Sequence, residues 1–173
     1  MPGAKAVAEA GFYAGGSLGS ATIQAEIPDS ENVDEVLEFD EDDLGWKAFG
    51  GYNFGLDLLA LAIEVGYVDL GKPSGNFLDN ELEVDVTGVD AFGLAGLQLG
   101  PIGVFAKAGV ISWDIEATID GIDAGDDDGT DPAYGVGARF NLGSLEIRGE
   151  YEMFDLDNVD DVYMLSAGLV WTF

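Results

Sequence analysis

Eight runs of strand character follow one another along this chain, and the connections between them alternate between short and long. The runs lie near residues 10–27, 43–55, 58–70, 81–99, 103–116, 133–141, 145–155 and 162–173. Gly55-Leu-Asp57, Gly100-Pro-Ile102 and Asn141-Leu-Gly-Ser144 are short links marked by turn-forming residues. Between them lie longer polar links from Pro28 to Asp43, Gly71 to Asn80, Asp120 to Pro132 and Asp155 to Asp161. That order puts every tight turn at one end of an up-and-down meander and every long loop at the other. A soluble sandwich has no reason to sort its loops this way, whereas a strand barrel that crosses a membrane does.

The runs read at a period of two. Tyr163, Leu165, Ala167, Leu169, Trp171 and Phe173 share one face of the last run, against Met164, Ser166, Gly168, Val170 and Thr172. Leu59, Leu61, Ile63, Val65 and Tyr67 likewise oppose Ala60, Ala62, Glu64, Gly66 and Val68. Leu145, Ile147, Gly149, Tyr151 and Met153 oppose Glu146, Arg148, Glu150 and Glu152. Run 81–99 breaks the rule, because Leu82, Val84 and Val86 have the opposite parity to Ala95, Leu97 and Leu99. A bulge or a strand continuing beyond a membrane accounts for that. No apolar run reaches the roughly 20 residues of a membrane-spanning helix, and Leu58 to Ile63 stops at Glu64. Strands crossing lipid must close on themselves, since an open sheet edge cannot be satisfied there. The expected fold is all-β: an eight-stranded antiparallel up-and-down transmembrane β-barrel over 10–173, with 1–9 as a processing remnant or a disordered terminus.

Parity alone does not say which face is inside, and a soluble barrel would keep its apolar face as the core. Two features decide for lipid. Aromatic residues gather at strand ends, with Trp46, Tyr67, Trp113, Tyr134 and Tyr163 near the long links and Tyr52, Phe54, Phe140, Trp171 and Phe173 near the tight turns. Two such girdles suit two lipid–water interfaces. The second feature is where the bases fall: Lys47, Lys107, Arg139 and Arg148 are mid-strand, leaving only Lys5 and Lys72 elsewhere. A mid-membrane cation on a lipid face costs about 2–4 kcal/mol. The expectation is a lumenal charge network of Glu64, Lys107, Arg139, Glu146, Arg148, Glu150 and Glu152.

The chain resembles the small outer-membrane β-barrel proteins related to the transmembrane domain of outer-membrane protein A. The resemblance is carried by Gly11 to Gly19, Gly50-Gly-Tyr-Asn-Phe54, Leu61 to Gly71, Tyr134 to Phe140 with Ile147 to Tyr151, and Gly168-Leu-Val-Trp-Thr-Phe173. It implies an eight-stranded barrel in the outer membrane of a Gram-negative bacterium, with lipid and lipopolysaccharide around it. It also implies that the terminal aromatic strand is read by the barrel-assembly machinery. Many relatives continue into a peptidoglycan-binding domain; this chain stops at Phe173, so cell-wall anchoring is not carried over.

Charge and composition narrow the chemistry. The chain has 34 acidic and 6 basic residues, no histidine and no cysteine. Nucleic acid needs a basic footprint and is excluded as a partner, as is binding to an anionic membrane surface through a basic patch. Without histidine or a Gly-x-Ser-x-Gly elbow, hydrolytic chemistry lacks its usual base and nucleophile, so no enzyme is expected. Asp123, Asp126, Asp127, Asp128 and Asp131 form the candidate cation site, with Ca²⁺ the matching ion. The calcium-loop pattern is incomplete, because Ala124 stands where the first ligand belongs and Gly135 where a glutamate belongs. A solvated acidic loop is the competing reading. Three functions follow as expectations: a structural envelope protein with a plugged lumen and acidic loops, a small cation or solute channel, and a Ca-dependent surface assembly or adhesion protein joined to neighbouring copies through cation-bridged loops.

Overall fold

A computed structural model describes residues 10–23, 43–56, 58–71, 74–77, 80–119, 122–155 and 162–173. The tail 1–9, the acidic run 40–42 and most of the first and last long links fall outside them. Nine strands are present: β1 (Gly11–Ile23), β2 (Asp43–Asn53), β3 (Leu59–Asp69), β4 (Ser74–Phe77), β5 (Asn80–Leu99), β6 (Ile102–Ile119), β7 (Ile122–Leu142), β8 (Leu145–Phe154) and β9 (Val162–Thr172). Every pairing is antiparallel, and eight strands close into a barrel because β3 pairs with β5 across the seam. The short β4 pairs only with the tip of β5.

The tight turns after β2, β5 and β7 share one end with the start of β1 and the end of β9. Gly11 pairs with Asn53, and the Phe173 N–H donates to the Phe12 carbonyl at 2.9 Å. Gly100 and Gly143 take φ of +67° and +74°, the left-handed conformation these two-residue links require.

One expectation needs correction, and one pair of alternatives is decided. The presumed loop from Asp120 to Pro132 is strand: β7 begins at Ile122, and Ile119 pairs with Ile122. The dipeptide between them, Asp120-Gly121, is the sequence signal for a two-residue hairpin. Strands β5, β6 and β7 therefore run 20, 18 and 21 residues against 10 or 11 for β2, β3, β8 and β9, and stand beyond the barrel as an arm. Of the two accounts of the parity conflict in β5, the continuing strand holds and the bulge does not, since its register with β6 is unbroken from Leu82 to Leu99. A register shift does occur farther on, where β6 Ala117 faces Gly125 but Thr118 faces Asp123.

The parity conflict instead marks a change of surroundings. Outward residues on the barrel are apolar and exposed, among them Val89, Leu97, Val104, Val110 and Val136. Farther along the same outward columns come Thr87 and Asp85 on β5, Ser112, Asp114 and Glu116 on β6, and Thr130, Asp128 and Asp126 on β7. Inward residues invert in the opposite sense, from Asp90 and Lys107 to Val86, Ile111 and Trp113. The outward inversion recurs on three strands; the inward one is seen on β5 and β6, whereas β7 keeps the buried Asp131 across from Ile111.

Candidate functional site

The lumen holds three layers. At the loop end, Ala21, Val68, Leu70, Val86, Ile111, Trp113, Ala133, Phe154, Val162 and Met164 are buried together across the mouth. The turn end is polar, with Asn53, Gln98, Arg139 and Glu146 buried. Ion pairs fill the middle.

Glu152 accepts from Lys47 Nζ and meets Lys107 Nζ, both at 2.8 Å through Oε1. Lys47 also meets Asp90 at 2.8 Å, and Lys107 meets Glu150 at 3.0 Å. Arg148 donates from Nη1 to Glu64 at 2.7 Å and from Nε to Glu146 at 2.8 Å, with Glu150 at 3.4 Å. The Tyr13 hydroxyl donates to Glu64 at 2.9 Å. Aromatic faces complete the cage: Lys107 Nζ lies 4.6 Å from the Phe92 ring centre, and Arg148 Cζ lies 5.1 Å from Phe49 and 5.2 Å from Phe105. Glycines admit these large groups; a β-carbon on Gly137 would strike the Phe105 ring.

All seven residues of the expected network are buried inward and ion-paired. Lys47, Asp90, Tyr13 and Gln98 belong with them and were missed. Lys47 was readable, since its neighbour Trp46 claims the outward face. Asp90 was hidden because Phe92 and Leu94 share its parity, making its face look apolar. Among the described residues five buried carboxylates, Glu64, Asp90, Glu146, Glu150 and Glu152, face four buried cations, and Glu64 Oε1, Glu152 Oε2 and Asp90 Oδ1 lack a hydrogen-bond donor there.

The five aspartates proposed for a cation are spread along β7 rather than wrapped around a loop. Asp131 is buried and accepts from Trp113 Nε1 at 2.6 Å. Asp126 and Asp128 are exposed on the outward face, opposite Glu116 and Asp114. Asp123 and Asp127 pair through their main chains with Thr118 and Ile115. Among the described residues no group of three or more carboxylates is gathered closely enough to hold a metal ion.

The model of the outer membrane protein beta-barrel domain matches residues 1–173, the whole chain. The chain belongs to that family. It is an outer-membrane barrel, and its outward face meets lipid. Its fold is similar to that of Ail, the attachment invasion locus protein of Yersinia pestis, solved with the heparin analogue sucrose octasulfate: TM-score 0.66, 15% identity, 95% of this chain and 99% of that one. Neisserial surface protein A gives 0.65 at 14% identity, covering 94% and 97%. The N-terminal barrel domain of Pseudomonas aeruginosa OprF gives 0.54 at 14%, covering 95% and 100%. No curated protein sequence matches this chain.

Placed in the outer membrane, the aromatics sort into two rims. Trp46 and Tyr67 pack at 5.6 Å and Tyr151 stacks on Tyr163 at 5.7 Å toward the loop end, where Tyr134 is also outward. Tyr52 meets Phe12 at 4.9 Å and Phe54 at 5.3 Å toward the turns, and Phe140, Trp171 and Phe173 share that exposed rim. Trp113 is the exception and corrects the expectation: it is 2% exposed and sits inside the mouth. A lone aromatic near a strand end fits either face, and its partner Asp131 settles this one.

Proposed function

We propose that this outer-membrane barrel is a structural envelope protein with a closed lumen, presenting an acidic arm at the cell surface. The apolar layer from Ala21 to Met164 at the loop-end mouth carries the reading. An ion leaving the mesh of charges would have to shed its water among these side chains, and an eight-stranded barrel leaves little room beside them. The reading is non-enzymatic, since the chain offers no histidine base. A polyanion such as that bound to Ail is not carried over to a chain with 34 acids and 6 bases. Planar-bilayer recordings in concentrated KCl are expected to show no unitary steps. Reproducible cation-selective steps, lost on bulky substitution at Gly137 or Gly168, would establish the channel reading instead.

The arm favours a second role. Asp85, Glu116 and Asp126 stand directly across from one another on three strands, as do Asp114 and Asp128. Like charges so placed destabilise a sheet, and divalent cations relieve them by bridging to lipopolysaccharide phosphates or a neighbouring arm. Calorimetric titration of the barrel with Ca²⁺ at moderate salt is expected to release heat beyond an equal ionic strength of NaCl. Equal heats would remove the cation role.

A further inference from the structure

The turn end of the lumen contains a cation with almost no counter-charge. Arg148, Lys47 and Lys107 each meet two or more carboxylates. Among the described residues Arg139 has only Glu146 Oε2 at 3.7 Å, too long for a hydrogen bond. The other oxygen of Glu146 already accepts from Arg148. Directly across the strand from Arg139 stands Arg148, a second positive charge. Arg139 is nevertheless 5% exposed, with its guanidinium 5.7 Å from the Phe105 ring centre.

The atoms left over have a pattern. Nε and Nη2 of Arg139 lack an acceptor among the described residues. Their two N–H groups lie on one edge of the guanidinium and point the same way, the fork that grips two oxygens of a carboxylate or phosphate. Gln98 Oε1 is a second unpartnered atom, in a side chain 2% exposed. It and Arg139 Nε lie 2.5 and 2.8 Å from the point where a side chain on Gly103 would begin, so the glycine lets both lie flat against the wall. The Gln98 amide donates to the Gly100 carbonyl at 2.7 Å and is thereby tethered to the β5–β6 turn.

We infer that this end of the lumen is a binding site for a small oxyanion, a carboxylate or a phosphate, gripped side-on by Arg139 and covered by Gln98 as a latch. Ligand enters from the turn end, which faces the periplasm. Gln98 swings out by breaking one hydrogen bond, and two ligand oxygens satisfy the fork. The acidic arm lies at the opposite end, so the surface charge of the chain does not bear on this site.

The chain contains two arginines, which makes the test direct. The whole barrel, refolded in detergent micelles with ¹⁵N-labelled arginine, shows two Nε–H signals, assigned by the one lost in Arg148→Lys or Arg139→Lys. Titration with sodium phosphate, and separately with sodium acetate, is expected to move the Arg139 signal saturably while the Arg148 signal stays in place. NaCl at matched ionic strength is expected to move neither. Gln98→Ala is expected to lower the half-saturating concentration about fivefold, since one hydrogen bond no longer has to break. Saturation by phosphate alone or acetate alone assigns the class. A non-saturating drift with both anions, or an equal shift with NaCl, overturns the site; an unchanged half-saturation in Gln98→Ala overturns the latch.

Discussion

Replacing Arg148 with methionine is expected to destabilise the folded barrel by about 3–5 kcal/mol. Methionine keeps much of the volume among Phe49, Phe105 and Tyr13 but removes the donors to Glu64, Glu146 and Glu150. Among the described residues Glu146 would keep only Arg139 at 3.7 Å, and Glu64 only Lys107 at 3.7 Å and the Tyr13 hydroxyl. Among the described residues, five buried carboxylates of the network would then face three cations. Equilibrium urea unfolding in phospholipid vesicles, followed by tryptophan fluorescence, measures the loss. Adding Glu64→Gln should recover part of it, a coupling of about 1–3 kcal/mol for groups in one network. The deficit should persist in 1 M salt, because ions do not screen a pair they cannot approach. A loss below about 1 kcal/mol would mean that the lumen is wet enough to treat these charges like surface pairs.

What the sequence made legible follows from how constant each strand's surroundings are. β3, β8 and β9 lie against lipid outside and the packed lumen inside for their whole length, so a single parity describes them. β5 does not: Leu97 and Val89 face lipid, whereas Asp85 on the same face meets water, and a parity averaged over the run cancels. Asp90 vanished into that cancellation. The hairpin at 119–122 was lost because five aspartates between Asp123 and Asp131 look like loop composition, though a strand standing in water tolerates them. Glu146, Arg148, Glu150 and Glu152 were readable because nothing apolar interrupts their face before Phe154. No sequence pattern shows that Arg139 keeps one distant counter-charge among the described residues, for that depends on Glu146 being claimed by Arg148.

One outward column on β6 should register the membrane boundary as a change of sign. Ala106 lies among apolar outward neighbours Ala95 and Val136, its cross-strand partners. Arginine there is expected to cost about 2–4 kcal/mol, the penalty near the bilayer midplane. At Ser112, between Val89 and Thr130, the same substitution should cost only about 0–1 kcal/mol. At Asp114 it should stabilise by about 0.2–1 kcal/mol, because a positive charge then faces Asp128 in place of a like one. The same unfolding measurement in vesicles reads all three. Equal penalties at 106 and 112 would place the arm within the membrane and refute the boundary. The ordering tests more than depth. It requires that the outward face change polarity along β6, because the medium outside changes there from hydrocarbon to water while the strand itself runs on unbroken.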